Sequence, residues 1–218
     1  MSYWPIRAWY QPDAIQFVNW KGRQLVVSAN EGKQKKYPNF REYIRGKQFT
    51  GLGDQIPEVV KTWLQEDSQL GRLKMSKLDG KDDKGLYQAL YTFGARSFSI
   101  WDAADNFKQL YDSGSDIETY TALKCPHAFN TEGDDIDEKS DSKGPETEAL
   151  AVGQIGDRLY IFVGNENPGV IFVYSIGENV TQPRFETIFC KGLPDDKTTL
   201  EEKFVARKLF AMDPEDIK

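Results

Sequence analysis

The stretch Pro12-Asp13-Ala14-Ile15, running on through Gly22-Arg23-Gln24-Leu25-Val26-Val27 to Ala29-Asn30-Glu31, decides the fold because it occurs twice. Its second copy is Thr147-Glu148-Ala149-Leu150, then Asp157-Arg158-Leu159-Tyr160-Ile161-Phe162 and Gly164-Asn165-Glu166. The acids of each copy stand 18 residues apart (Asp13 to Glu31, Glu148 to Glu166), and an Arg follows the first acid by ten (Arg23, Arg158). Each copy reads as two short strands joined by a polar turn. A β-unit repeated with fixed internal spacing predicts a propeller, solenoid or array.

Composition agrees with packed sheets. The 218 residues can bury a sizeable core, and 13% of them are aromatic, including five Trp. The formal net charge is −6. That argues against nucleic acid as a partner, since neutralising phosphates takes a basic face, and it favours a metal or mineral surface. There is no apolar run of 18 residues, so no transmembrane segment is expected. The first residues lack the basic and apolar regions of a signal peptide, and residues 3–12 already read as the interior of a unit, so the chain is expected to be a fragment. Cys125 and Cys190 are either one disulfide of a secreted protein or two free thiols. Asn179-Val180-Thr181 is a glycosylation sequon in a predicted loop.

Outward from the repeat, strands are expected at 15–18 and 24–28. Residues 32–70 then form an insertion with one short helix, predicted over 56–65 from apolar residues at 56, 59, 60, 63 and 64 with Pro57 in the first turn. A middle unit has strands at 86–93, 97–101 and 108–111, and a last unit has them at 160–163, 170–174 and 184–189. Residues 114–143 form a second insertion, in which 132–141 holds six carboxylates in ten residues. A short helix is expected over 200–209. The fold expected over 1–218 is all-β: a partial β-propeller, about three blades of a larger one, with one helix-bearing insertion.

Several longer runs carry a resemblance. WPIRAWYQPDAI (4–15), SANEG (28–32), LGRLK (70–74), YTFGARSFSIWDA (91–103), LYDSG (110–114), AFN (128–130), DSKGPETEALAVG (141–153) and DRLYIFVG (157–164) occur in this order. Together they resemble the mesenchyme-specific cell surface glycoprotein family. The resemblance implies an extracellular protein of biomineralised skeletons or shells, a propeller larger than this chain, and the label alkaline-phosphatase-like that some relatives carry. Two places depart from the family pattern. Lys33-Gln34-Lys35-Lys36 follows Glu31-Gly32 where relatives often have acids, and Asp79-Gly80-Lys81-Asp82-Asp83-Lys84 keeps only part of a calcium-loop pattern.

Phosphatase chemistry of that kind needs two zinc ions, several His ligands and an activated Ser, whereas this chain has one His, His127. The carboxylates are more promising. Asp13 and Glu148 open the first strand of their units, Glu31 and Glu166 close the second, and Glu146 lies two residues before Glu148. If the first strands line a central channel, these acids converge as hard oxygen ligands for Ca2+. Alternatively, each acid caps a turn or pairs with Arg23, Arg96 or Arg158 inside its own unit. Asp134, Asp135 and Asp137 in the acidic run are either a solvated loop or a set of weak calcium contacts to mineral. The function expected is a secreted, calcium-interacting, non-enzymatic matrix protein of shell or skeleton, with mineral and other matrix proteins as partners. The alternative is a metal-dependent phosphoester hydrolase.

Overall fold

The structure, a computed structural model, describes residues 3–167, 169–190, 198–206 and 217. Its strands are β1 (Arg7–Trp9), β2 (Ala14–Trp20), β3 (Arg23–Asn30), β4 (Lys36–Tyr37), β5 (Phe40–Arg41), β6 (Tyr43–Arg45), β7 (Lys74–Ser76), β8 (Tyr91–Phe93), β9 (Ser97–Asp102), β10 (Lys108–Asp112), β11 (Thr147–Ile155), β12 (Arg158–Asn165), β13 (Val170–Ile176) and β14 (Arg184–Phe189). The helices are α1 (Glu58–Trp63), α2 (Asp116–Lys124) and α3 (Leu200–Val205). The all-β expectation holds. The helix predicted over 56–65 forms as α1, and the part of 200–209 beyond 206 lies outside the described residues.

Two of the sheets are twins. One has the strand order β2-β3-β9-β10 and the other β11-β12-β13-β14, each an antiparallel meander. Ala14 pairs with Ala29 and Ala149 with Gly164; Phe17 pairs with Val26 and Val152 with Ile161. The register of the first two strands is thus repeated at a constant offset of 135 residues. The third strands repeat it at 73, with Ala29 opposite Phe98 and Gly164 opposite Ile171. Even the irregularity between third and fourth strands recurs, at Gln109/Tyr111 and at Val173/Tyr174.

This topology corrects the expected series of three successive units. β9 and β10 are not a middle blade; they complete the first sheet, because the chain leaves it after β3 and returns only at β9. The intervening residues 31–96 supply β6, β7 and β8 of a third sheet, ordered β1-β8-β7-β6, which the N-terminal β1 completes by pairing parallel with β8, and they also carry a small β4-β5 ribbon. Of the strand expected over 86–93 only Tyr91–Phe93 is extended. The third sheet packs with α1 around a separate core that includes Val60, Leu64, Leu70, Met75 and Leu90.

The main core lies between the twins. Leu25, Val27, Ala29, Phe98 and Ile100 of the first sheet meet Leu159, Ile161, Val163 and Phe172 of the second, all fully buried or nearly so. Strand residues alternate faces. At the offset of 135, Leu25 and Val27 correspond to Tyr160 and Phe162, not to Leu159 and Ile161. Each sheet therefore contributes the opposite face of the shared plan, and unlike faces meet. One end of the stack has only short connections, of two to seven residues. Both long excursions, 31–96 and 113–146, leave from the other end, where β3, β10 and β12 finish and β11 begins.

Cys125 and Cys190 are disulfide-bonded, with Cα atoms 6.4 Å apart. The bond ties the residue after α2 to the residue after β14, alongside the stacked rings of Tyr120 and Phe185. It closes a loop with a sequence separation of 65. Cys190→Ser should lower the unfolding free energy by about 4 kcal/mol on the chain-entropy account. Urea melts of the variant and of the reduced wild type should shift together; a midpoint unchanged by reduction would contradict this.

Candidate cation site where the twin sheets meet

The acids of the repeat lie at the end of the stack that carries the excursions. Glu31 follows β3, Glu166 follows β12, and Glu146 and Glu148 flank the start of β11. Glu31, Glu148 and Glu166 each offer a carboxylate oxygen, and these oxygens lie within 4.8 Å of one another. Local backbone aims them there. Glu146 is in the left-handed region (φ 50°), a conformation that costs a non-glycine residue on the order of 1 kcal/mol. Its carbonyl accepts the Glu166 N–H at 2.9 Å, and a bulge between Thr147 and Ala149 turns the start of β11. Behind Glu31 the backbones of Gly32 and Gly94 cross so closely that a Cβ on Gly94 would stand 1.9 Å from the Glu31 carbonyl oxygen.

Two lysines from the second excursion close the site. The Lys143 ammonium donates to Glu31 and contacts Glu146. The Lys139 ammonium is 3.1 Å from Glu146 Oε1 and 3.3 Å from Glu132. Glu31 and Glu146 are 5% and 2% exposed, so their charges depend on these partners. Burial works against the charged form of Lys143, but its hydrogen bonds to Glu146 and Glu31 prevail and hold its pKa above the ordinary lysine value. Burial also works against ionised Glu146, yet the hydrogen bond with Glu166 and the two ammonium groups keep it below the usual range. Glu166 goes the other way. Burial first, then the neighbouring Glu146, pushes it well above the carboxylate range.

A comparison inside the chain exposes a further group. In the first sheet Asn30 is fully buried and fully bonded. Its Oδ1 accepts the Ser28 hydroxyl at 2.9 Å, and its Nδ2 donates to Ser97 and Ser99 at 3.1 and 2.8 Å. Asp112 accepts from both serines, and Trp101 donates to Ser28. By the offsets of the twin sheets, Ser28, Ser97 and Ser99 correspond to Val163, Val170 and Phe172. Asn165 keeps the asparagine but has lost every partner. It is 0% exposed, and neither Oδ1 nor Nδ2 finds a hydrogen bond among the described residues. Thr147, its cross-strand neighbour, is also 0% exposed with a partnerless hydroxyl. An unpaired buried amide costs about 1–3 kcal/mol. The two polar groups lie beside Glu166 and Glu148 in sequence, at the junction of the sheets.

The structure places the other expected residues elsewhere. Asp13, the counterpart of Glu148, is exposed and outside this carboxylate group. The reason is the unlike-face stacking: Asp13 shares its face with Ile15 and Phe17, which are 64% and 59% exposed. Asp134, Asp135 and Asp137 are exposed, and Asp137 accepts the Ser140 hydroxyl. Yet the acidic segment is not a free loop. Arg96 donates to the Ser140 and Ser142 carbonyls at 2.8 and 2.9 Å and to Glu118 at 3.1 Å. Buried Asp141 meets Arg45 at 2.8 Å and Lys74 at 3.4 Å. The repeat arginines do not pair with the first acids of their units. Arg23 binds Asp102 at 2.8 Å, and Arg158 binds Ser175 at 2.7 Å. Asp82, in the partial calcium-loop pattern, accepts from Lys84 N, Leu86 N and Gln88. Sequence reasoning missed Lys139 and Lys143, hidden in a run read for its acids, and Asn165, which only the register singles out.

The profile of the choice-of-anchor I domain matches residues 1–179. The chain belongs to this family. It is 39% identical over 162 residues to "Gigasin-3a" of Magallana gigas, covering 71% of this chain and 56% of that protein. It is 26% identical over 225 aligned positions to the "Mesenchyme-specific cell surface glycoprotein" of Strongylocentrotus purpuratus, covering 88% of this chain and 29% of that protein. The chain thus spans about half or less of these relatives' length. No solved structure matches it. Among the described residues no helix is long and apolar enough to cross a membrane.

Lys143→Met removes the ammonium between Glu31 and Glu146 and should destabilise the fold by about 3 kcal/mol. Lys143→Arg should recover most of the loss. Equal urea midpoints for wild type and the Met variant would refute the assigned role.

Proposed function

We propose that this chain is part of a secreted matrix protein of mineralised tissue, a β-propeller that holds Ca2+ where successive sheets meet. The observation that carries the reading is the convergence of Glu31, Glu148 and Glu166 beside the partnerless Asn165. Calcium takes hard oxygen ligands at about 2.3–2.6 Å, so oxygens on opposite sides of one ion stand about 5 Å apart. A group of carboxylate oxygens within 4.8 Å fits that sphere. The Asn165 side-chain carbonyl is a neutral oxygen of the kind such a site adds.

The propeller reading rests on the stacking of unlike faces. A heterologous contact leaves one of the two unlike faces open at each end of the stack, and joining them closes a ring. The exposed face of the first sheet, with Ile15 and Phe17, and the half-buried Tyr160 and Phe162 of the second are the two ends such a ring would join. The extracellular assignment draws on the relative named as a cell surface glycoprotein and on the disulfide.

Calcium binding is measured by calorimetry and by the shift of the unfolding midpoint. An excess of about 100 Kd should stabilise the protein by about 2.7 kcal/mol. Glu148→Gln and Glu166→Gln should abolish most of that gain, whereas Asn at 134, 135 and 137 should leave it intact. The reverse pattern would move calcium to the acidic segment and end this reading of the site.

Asn179 is the proposed glycosylation site. It is exposed, and its Oδ1 accepts both Thr181 N–H at 2.9 Å and the Thr181 hydroxyl at 2.8 Å. This turn presents the amide outward. Secretion from eukaryotic cells should give a glycan mass that disappears on Thr181→Ala; an unmodified wild type would contradict the assignment.

A further inference from the structure

The excursion between β3 and β9 carries a charge opposite to that of the whole chain. Residues 33–47 hold six cations (Lys33, Lys35, Lys36, Arg41, Arg45, Lys47) against one acid, Glu42, in a protein of net charge −6. In the middle of this stretch the β4-β5 ribbon, turned by Pro38 and Asn39, pairs Tyr37 with Phe40 and Lys36 with Arg41. Tyr37 is 61% exposed and Phe40 36%, and their ring centroids lie 6.2 Å apart.

Between the ribbon and β6-β7 runs a groove of about 690 Å³, lined by Tyr37, Phe40, Arg41, Tyr43, Lys74 and Lys77 among others, with no Asp or Glu among its described lining residues. The Lys77 ammonium stands 5.0 Å from the centre of the Phe40 ring, and that of Lys74 5.9 Å from Tyr43. Both lysines are thereby held over aromatic faces rather than swinging free. Arg45 and Lys74 also reach the buried Asp141, which anchors this wall of the groove to the second excursion. Phe40 packs partly under Lys77, whereas Tyr37, 61% exposed, leaves most of its ring open to a partner.

We propose that this groove binds an anionic saccharide, a chain of pyranose rings bearing sulfate or carboxylate groups. Flat aromatic faces stack on the apolar faces of sugar rings, while guanidinium and ammonium groups take the anions. Rings and cations share one groove, as binding a polymer that repeats a ring and a charge requires. An acidic peptide would use the cations and leave the rings idle. A nucleic acid also offers rings and anions, but its binding draws on a broad basic face, and here the protein is acidic overall while the groove itself is lined by four cations, Arg41, Arg45, Lys74 and Lys77. The proposal is independent of whether the carboxylate site holds a cation.

The test titrates the intact chain at physiological salt with chondroitin sulfate, polyguluronate, polyglutamate and oligothymidylate. At least one of the two saccharides should bind, and the stronger of them tells sulfate from carboxylate preference. Arg41→Ser with Lys77→Gln should weaken that binding about tenfold or more. Tyr37→Ser changes no charge and sits on an exposed position, and it should still weaken saccharide binding about fivefold with an unchanged melting temperature. Polyglutamate and oligothymidylate should bind weakly and ignore Tyr37→Ser. Saccharide binding indifferent to Tyr37→Ser, equal binding of polyglutamate, a preference for oligothymidylate, or no saccharide binding at all would each overturn the proposal.

Discussion

The rest of the structure depends on one packing constraint: two sheets with the same register bury opposite faces against each other. Leu25, Val27 and Ile100 need an apolar surface, and the second sheet meets them with Leu159, Ile161 and Val163 rather than with the counterparts of its twin. A pair of like faces would have made a closed sandwich with a two-fold plan. Unlike faces make a directional stack, and the direction explains why equivalent residues live in different surroundings. Asn30 looks away from the main core into a serine network. Asn165, at the same place in the plan, looks into the junction and has apolar residues where those serines stood.

The same constraint governs the charges. Acids at strand ends are harmless on a free face, as with exposed Asp13. At the junction they are forced together, and Glu31 from one sheet meets Glu148 and Glu166 from the other. Buried carboxylates at that distance repel unless cations intervene. The second excursion brings Lys143 to Glu31 and, together with Lys139, to neighbouring Glu146, within a segment otherwise dense in acid. Its arrangement is held from the far side by Arg96 and by Asp141 with its cations. The acidic segment is therefore part of the site's architecture.

Much of this could be read from the residues alone. The constant separation of Asp13 from Glu31 and of Glu148 from Glu166 reflects a real identity of register, and the alternation through Leu25-Val26-Val27 is that of a paired strand. The helix at Glu58–Trp63 showed in its periodicity. What stayed hidden is what depends on long-range pairing. Nothing local tells that the strand Ser97–Asp102 returns to β3 across 66 residues, because a strand looks the same whether it opens a sheet or completes one. The facing of Asp13 was equally invisible, since the repeat gives position along a strand but not which neighbour covers it. The cysteines carried no spacing that separates a bond from two thiols; their pairing follows from the docking of α2 against β14.

Both excursions leave the stack from the same end, and this links the candidate cation site to the groove. The end with short connections includes two-residue turns, Lys21-Gly22 and Gly156-Asp157, that fix the register of their hairpins. The opposite end tolerates long insertions because the strands there are already paired before the chain departs. The carboxylates are fixed to the strand ends themselves, so they inherit the rigidity of the sheets. The cationic ribbon hangs on the excursion and is tied back through Arg45 and Lys74 to Asp141, a residue of the very segment that supplies Lys139 and Lys143. Opposite charges thus occupy separate regions of one end, held apart by an ion-paired seam.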